Sequence, residues 1–292
     1  QIFHPEYDVP TVGRLMRQSG DLAREAMAAK AAGDMAAFEA KMKESQAVGT
    51  DARNKLHYDM QHFVSEVSAG ALADIKKAIA DCARRAAAAG VDAIEIHGDR
   101  LLGSLCSPLL NHRTDSYGGS FENRVRYALE VTAAVKEAAP ELMLEYKLPL
   151  ITVNADGSLR GKGGLMEAEA IEFAKLLEKA GIHMIQAAQA NHTSNMGDTI
   201  PYMGTVPYNW TLPLAEKIKK AVSIPVATVG RVLTVANGEE ILRNGQADVI
   251  GYGRSLLCDP DIAVKTERNE SIRLCLNCNK GCVDALQNRR YL

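Results

Sequence analysis

Five apolar segments alternate with amphipathic patterns from about residue 90 onward. The segments are rich in Val, Ile and Leu with little polar alternation, which is typical of strands buried on both faces. Apolar positions spaced three and four residues apart predict helices between them. A strand after each helix predicts a parallel sheet with helical crossovers. The predicted strands are Val91–Ile96, Leu142–Leu148, Ile182–Ala188, Pro225–Val229 and Ala247–Gly253.

The first seventy residues have a different pattern. Asp21–Ala32 and Asp34–Gln46 are rich in Ala, Met, Lys and Glu, and they predict two amphipathic helices separated by a break at Gly33. We expect residues 11–66 to form a helical excursion from the main fold. This excursion is either a lid over a site or a peripheral hairpin that takes no part in the chemistry.

The ends of the last two predicted strands distinguish two α/β folds. No predicted strand is followed by the G-x-G-x-x-G turn of a doubly wound nucleotide-binding sheet. The last two predicted strands end instead in Gly230-Arg231 and Gly253-Arg254. A (β/α)8 barrel commonly binds phosphate in the loops after its seventh and eighth strands. Glycine there lets the backbone approach the phosphate closely, and the guanidinium of arginine can donate two hydrogen bonds to it. The pairs favour such a TIM barrel; surface ion pairs are the alternative for both arginines.

Three cysteines near the end of the chain, Cys275, Cys278 and Cys282, form a C-x2-C-x3-C motif. Closely spaced thiolates suit an iron–sulfur cluster better than zinc, which usually takes two separated pairs of ligands. A fourth cysteine does not follow in this sequence, so we expect that ligand outside the chain. Free cytosolic thiols are the alternative. The remaining cysteines are predicted to be packing residues: Cys82, Cys106 and Cys258.

Composition and charge exclude several classes of function. The 292 residues include 34 basic and 36 acidic side chains, and this balance argues against a nucleic-acid partner held by bulk electrostatics. The sequence contains no run of eighteen apolar residues and no signal-peptide pattern, so we expect a cytoplasmic protein without a membrane partner. Six cysteines are too few for a disulfide scaffold. Both a monomer and a homo-oligomer are compatible with the sequence.

A long motif at residues 113–124 reads Arg-Thr-Asp-Ser-Tyr-Gly-Gly-Ser-Phe-Glu-Asn-Arg. Together with His97-Gly98 and Ser107-Pro108, it resembles the Old Yellow Enzyme family, and especially the long members of the 2,4-dienoyl-CoA reductase and trimethylamine dehydrogenase group. The likeness covers about residues 71–292 and Gln1–His4. It implies a TIM barrel that holds FMN at its C-terminal face and transfers hydride to an activated C=C bond.

The resemblance also implies a domain organisation. Residues 1–270 would form the flavin-binding barrel, and residues 271–292 would begin a 4Fe–4S segment. The five predicted strands and an opening strand at Gln1–Phe3 make six of the eight that a barrel requires. We therefore expect the barrel to be incomplete at its N-terminus, and the cluster segment to be truncated before its fourth cysteine.

The family's cofactor residues carry over to matching positions. Gln1 matches a glutamine beside the flavin pyrimidine, and Lys147 matches a cation that stabilises the reduced anionic flavin. The family's FMN phosphate site matches Gly230, Arg231, Gly253 and Arg254. Its cluster ligands match Cys275, Cys278 and Cys282. Long relatives carry FAD and NAD(P)H sites in a C-terminal domain after the cluster, so the electron donor is either NAD(P)H or a redox partner.

The chain departs from the family directly after His97. Relatives usually continue to a Gly-Tyr-Leu run whose tyrosine donates a proton, whereas Gly98, Asp99 and Arg100 follow here in a shorter loop without tyrosine. Arg100 can bind a carboxylate or lactam oxygen and stabilise developing negative charge. Asp99 can orient Arg100 or, if burial raises its pKa, donate the proton. His97 can hydrogen-bond the substrate or the flavin. The alternative is an ion pair that caps the next helix.

The His-Gly-Asp-Arg sequence at this position resembles the bilirubin reductases of gut bacteria. Bilirubin is a conjugated tetrapyrrole with lactam carbonyls and two propionates, which suits an arginine at the site. We therefore expect an FMN-dependent enzyme that reduces bilirubin to urobilinogen. The alternatives are an enoate or 2,4-dienoyl-CoA reductase, an amine dehydrogenase of the same family, and, from another class, a non-catalytic flavin or Fe–S electron carrier.

Overall fold

The computed structural model describes residues 9–57, 64–190 and 199–287. The chain divides into two units, one up to Glu66 and the other from Val67 onward. Gln1 and the opening strand predicted at Gln1–Phe3 lie outside the described residues. Within the described ranges, no helix is both long enough and apolar enough to cross a membrane.

The first unit contains two helices, α1 (Val9–Ala31) and α2 (Met35–His57), joined at Gly33, whose φ is 83°. Ser19 and Ser45 tie the helices together, since each hydroxyl donates to the other's carbonyl at 2.9 and 2.8 Å. The predicted helices are confirmed, and both are longer than predicted. The first begins at Val9, and Pro10 lies in its first turn, where a proline is tolerated.

The second unit is built on a parallel sheet of five strands in the order β1-β2-β5-β6-β7. Strands that are consecutive along the chain are neighbours in this sheet, as they are in a (β/α)8 barrel. The short strands β3 and β4 form an antiparallel ribbon after β2. All five predicted strands are confirmed. The bounds are β1 Ala93–His97, β2 Met143–Leu150, β3 Thr152–Val153, β4 Leu159–Arg160, β5 Met184–Gln189, β6 Val226–Val229 and β7 Val249–Gly251.

Helices cover the sheet and connect its strands. Serine or threonine caps three of them. Ser68 accepts from the Ala71 N–H and Thr234 from the Asn237 N–H, both at 3.1 Å, and Ser120 accepts from the Asn123 N–H at 3.4 Å. The bounds are α3 Ala69–Ala88, α4 Leu101–Cys106, α5 Phe121–Ala138, α6 Glu167–Lys179, α7 Leu212–Lys219, α8 Val235–Arg243, α9 Arg254–Cys258, α10 Ile262–Glu267 and α11 Val283–Gln287.

Side chains along β2 alternate between the face that packs against the helices and the opposite face of the sheet. Leu144, Tyr146 and Leu148 are buried, whereas Glu145 and Lys147 between them are half-buried on the opposite face. Tyr146 meets Phe173 of α6 edge to face, with ring centroids 5.6 Å apart. Lys147 is thereby directed away from the helical layer.

The three cysteines predicted to pack differ in their burial. Cys106 is buried in α4 and Cys258 is half-buried. Cys82 is exposed, so the prediction for it is wrong. The reason is that α3 buries the face that carries Leu72, Ala80 and Ala83, and Cys82 lies outside that face.

Candidate active site

A cavity of about 330 Å³ lies at the carboxyl ends of the parallel strands. This volume falls within the range of small-molecule sites, roughly 300–1,000 Å³. Seven residues singled out from the sequence line it: His97, Asp99, Lys147, Gly230, Arg231, Gly253 and Arg254. Arg100 is exposed and is not among the lining residues. Sequence reasoning missed Gln189, Trp210 and Asn277, which also line the cavity.

The turn after β1 directs Asp99 into this cavity. Gly98 is required there, because a Cβ at that position would lie 2.3 Å from the Lys147 carbonyl oxygen and 2.3 Å from Cε1 of Tyr146. Arg100 then adopts a left-handed φ of 54°, and α4 begins at the next residue. A positive φ is unfavourable for a residue with a side chain, so the turn is strained as well as tight.

Asp99 is only 4% exposed. Burial raises the pKa of its carboxyl, because a charged group loses hydration inside the protein. The backbone N–H and charge of Arg100, together with the charges of His97 and Lys147, oppose this rise in the pKa. A carboxyl with a raised pKa beside a cavity is suited to donate a proton.

Gly98→Ala tests the tight turn. We expect a loss of about 1–3 kcal/mol in the free energy of unfolding, since the new methyl would meet backbone and ring atoms that have no room to move. Gly70→Ala is the matched control: its Cβ would meet only Ser68 Oγ at 3.8 Å. The control should be neutral or gain up to about 1 kcal/mol, because alanine favours a helix. Urea unfolding of both variants compares them, and equal midpoints would contradict the steric argument.

The opposite end of the cavity is formed after β6. A Cβ at Gly230 would lie 2.4 Å from Thr211 Oγ1, whose hydroxyl donates to the Val229 carbonyl at 2.6 Å. Arg231 follows with a left-handed φ of 62° and is 6% exposed. Its guanidinium carbon lies 4.6 Å from the ring centroid of Tyr208, and its Nη1 donates to the Val206 carbonyl.

Two buried donors at this cavity have no hydrogen-bond partner among the residues that the structure describes. They are Nε of Arg231 and Nε1 of Trp210. Buried polar groups are nearly always paired, so an unpaired cationic donor in a cavity wall indicates a ligand that accepts hydrogen bonds. An anionic phosphate meets this requirement. The residues at this end therefore fit the phosphate of a flavin nucleotide.

Arg254 contacts the cysteine segment. Its Nη1 donates to the Pro201 carbonyl at 2.9 Å and to Asn279 Oδ1 at 2.6 Å. The Asn279 amide in turn donates to the Ile200 carbonyl at 2.6 Å. Asn277 and Asn279 are both buried, with left-handed φ values of 55° and 59°. The cysteine segment is thus tied to the wall of the cavity.

The three thiols lie near Arg254. Burial lowers the pKa of the Arg254 guanidinium, and the charges of Cys275, Cys282 and Cys278 oppose that effect. Within the described ranges, no group of three or more His, Cys, Asp or Glu side chains is placed to hold a metal ion. The iron–sulfur cluster therefore stays a prediction for this segment.

Comparison with known proteins identifies one matching family and relatives along most of the chain. The profile of the NADH:flavin oxidoreductase / NADH oxidase family matches residues 19–272. The chain is 51% identical over 294 residues to a bilirubin reductase of Mediterraneibacter gnavus (strain CC55_001C), with 100% of this chain and 41% of that protein covered. It is 36% identical over 234 residues to a bilirubin reductase of Clostridium symbiosum (strain WAL-14163), with 78% and 61% covered.

A solved structure shows the same fold. The complex of 2-naphthoyl-CoA reductase with 2-naphthoyl-CoA superposes with a TM-score of 0.67 at 24% identity, covering 77% of this chain and 34% of that chain. Together with the five consecutive parallel strands, this likeness confirms the predicted α/β fold of the (β/α)8 barrel class. The chain spans less than two thirds of the length of the curated relatives reported above.

Proposed function

Because the chain belongs to the NADH:flavin oxidoreductase / NADH oxidase family, we propose that it acts as an FMN-dependent reductase of conjugated C=C bonds. The substrate we propose is bilirubin, reduced to urobilinogen, and the 51% identity to a bilirubin reductase along the whole chain supports this choice. The observation that carries the proposal is the cavity itself. It is lined by a buried carboxyl, a lysine and an arginine whose Nε has no hydrogen-bond partner among the residues that the structure describes.

The cofactor would be held by residues from several strand ends. Arg231 and the backbone beside Gly230 and Gly253 would receive the FMN phosphate, since glycine leaves room for its close approach. Lys147 would supply a positive charge that favours the reduced, anionic flavin. When bound, FMN supplies the hydride for the reaction. The chain's own residues have to bind the substrate and supply the proton.

Asp99 is the proton donor in this proposal. The hydride adds to one carbon of the C=C bond, and the proton from the Asp99 carboxyl goes to the other carbon. His97 lines the cavity beside Asp99 and can donate to a lactam oxygen of the substrate. Arg100 is exposed on the same turn, where it can pair with a propionate of a substrate larger than the cavity.

We also propose a 4Fe–4S cluster with Cys275, Cys278 and Cys282 among its ligands. The hydrogen bonds from Arg254 through Asn279 support this assignment, because they hold the cysteine segment beside the flavin cavity. Held there, a cluster would supply one-electron transfer chemistry. The electrons would come from NAD(P)H or a redox partner in the cytoplasm.

Anaerobic stopped-flow mixing of the reduced holoprotein with bilirubin tests the proposed function. We expect the flavin to reoxidise while bilirubin absorbance is lost. Cinnamate, an enoyl-CoA and a primary amine are the comparison compounds. If the reduced flavin reoxidised faster with one of these compounds than with bilirubin, that compound class would be the substrate instead. Reoxidation only by a one-electron acceptor would indicate an electron carrier.

Arg100→Ala tests substrate binding at the mouth of the cavity. We expect bilirubin turnover to fall by roughly tenfold, since a hydrogen-bonded ion pair with a propionate is lost. FMN content should not change. Arg243→Ala is the control, because Arg243 is exposed at the end of α8 and does not line the cavity. Equal turnover of the two variants would rule out the role given to Arg100.

A further inference from the structure

Tyr146 carries a buried hydroxyl whose role is not explained by the packing of the described residues. The side chain is fully buried, and its hydroxyl has no hydrogen-bond partner among the described residues. Tyr127 is almost as buried, yet its hydroxyl donates to the Leu72 carbonyl at 2.8 Å. A buried phenol without a partner is uncommon and calls for a specific explanation. Packing alone would be served equally well by phenylalanine at position 146.

The ring of Tyr146 lies against the turn that leads into Asp99. A Cβ built on Gly98 would be 2.3 Å from Cε1 and 2.7 Å from Cζ, the ring carbon that bears the hydroxyl. The hydroxyl end of the ring therefore lies beside the backbone immediately before Asp99. Burial is the main cause that raises the pKa of Tyr146 well above its usual value, so the phenol keeps its proton. The Asp99 carboxylate adds to this rise, which places the two groups within electrostatic range.

We propose that Tyr146 is a positioning residue for Asp99. When the Asp99 carboxyl gives its proton to the substrate carbon, the Tyr146 hydroxyl donates a hydrogen bond to the carboxylate that forms. Tyr146 keeps its own proton, so no further proton acceptor is needed. A hydrogen bond to the charged form strengthens an acid, and here it would offset part of the cost of burying the charge. This inference rests on the proposed role of Asp99 as the proton donor.

The described titratable groups that act on this pair come from β1, the turn after it, β2 and α4. The charges of Arg100, His97 and Lys147 act on Asp99. Cys106 of α4 faces Tyr146, and burial raises the pKa of its thiol to about 12, so it stays neutral at physiological pH. Among the described groups that act on Asp99 or Tyr146, the phenol is a neutral oxygen donor, which can stabilise the carboxylate without adding charge, whereas the Cys106 thiol is a weak donor.

Tyr146→Phe and Tyr127→Phe form a matched pair of test variants. The pKa of Asp99 is measured by carbon-13 NMR of holoprotein labelled at the aspartate carboxyl, with Asp99→Asn to assign the signal. In Tyr146→Phe we expect this pKa to rise by about one unit, a roughly tenfold weaker acid. Turnover should fall by a similar factor, and the alkaline limb of the rate profile should move to higher pH. Thermal stability should not fall, because the hydroxyl removed has no hydrogen-bond partner in the part of the chain that the structure describes.

Tyr127→Phe should behave in the opposite way. Loss of the Tyr127 hydroxyl removes its buried hydrogen bond to the Leu72 carbonyl, so the thermal midpoint should fall, while the Asp99 pKa and the rate profile stay as in the parent protein. An unchanged Asp99 pKa in Tyr146→Phe would overturn the inference. A shifted pKa in a protein that does not reduce bilirubin would sustain the positioning role and reject the proposed function.

Discussion

Asp99→Asn is expected to lower bilirubin reduction by roughly 10²–10⁴-fold, the usual contribution of a positioned general acid. The amide has nearly the shape of the carboxyl but does not release a proton at neutral pH. FMN should remain bound, because Asp99 lies after β1 and the proposed phosphate residues follow β6 and β7. Single-turnover stopped-flow measures the rate, and flavin absorbance after desalting measures the bound cofactor.

The pH dependence of the reaction gives an independent check on Asp99. The protonated carboxyl is the active form, so the rate should be highest below its pKa and fall as pH rises through it. Burial raises that pKa, so the fall should occur at higher pH than for an exposed aspartate. Asp99→Asn should lack this limb.

Asp156→Asn is the matched control for this prediction. Asp156 lies between β3 and β4, it is exposed, and hydrogen bonds from Ser158 lower its pKa. Its replacement should leave both the rate and the pH profile unchanged. If Asp99→Asn also kept the parent rate, the proton would have to come from His97 or from water.

The strands and their order could be predicted because they follow from local patterns. Apolar runs and intervening amphipathic helices identify a parallel sheet. In such a sheet the residues directly after each strand meet at one edge. The two Gly-Arg pairs that follow the last strands were found in this way, whereas His97, Asp99 and Lys147 were identified from the family resemblance.

Other parts of the site depend on contacts between distant segments. Trp210 and Asn277 line the cavity from loops, and no periodic pattern precedes them in the sequence. The left-handed backbone of Arg231 is likewise invisible in sequence, because arginine has no preference for that conformation. The Arg254 side chain was expected at a phosphate, whereas in the structure it hydrogen-bonds Pro201 and Asn279.

Arg231→Ala is expected to weaken FMN binding by roughly 10–100-fold. The guanidinium is buried at the cavity, and its Nε has no hydrogen-bond partner among the described residues. A hydrogen bond to a charged group contributes about 1.5–3 kcal/mol, which corresponds to that change in affinity. Fluorescence quenching during titration of the apoprotein with FMN measures the dissociation constant.

Two further variants separate charge, geometry and backbone strain at this position. Arg231→Lys keeps the charge but loses the planar fork, so it should recover only part of the affinity. Arg231→Gly relieves the left-handed φ of 62° and should unfold no more easily than Arg231→Ala, yet it should bind FMN equally weakly. If all three variants bound FMN as tightly as the parent, phosphate recognition would have to come from the backbone at Gly253 and from Arg254. In that case Arg254 would have to exchange its bond to Asn279 for the phosphate, and FMN binding would loosen the cysteine segment.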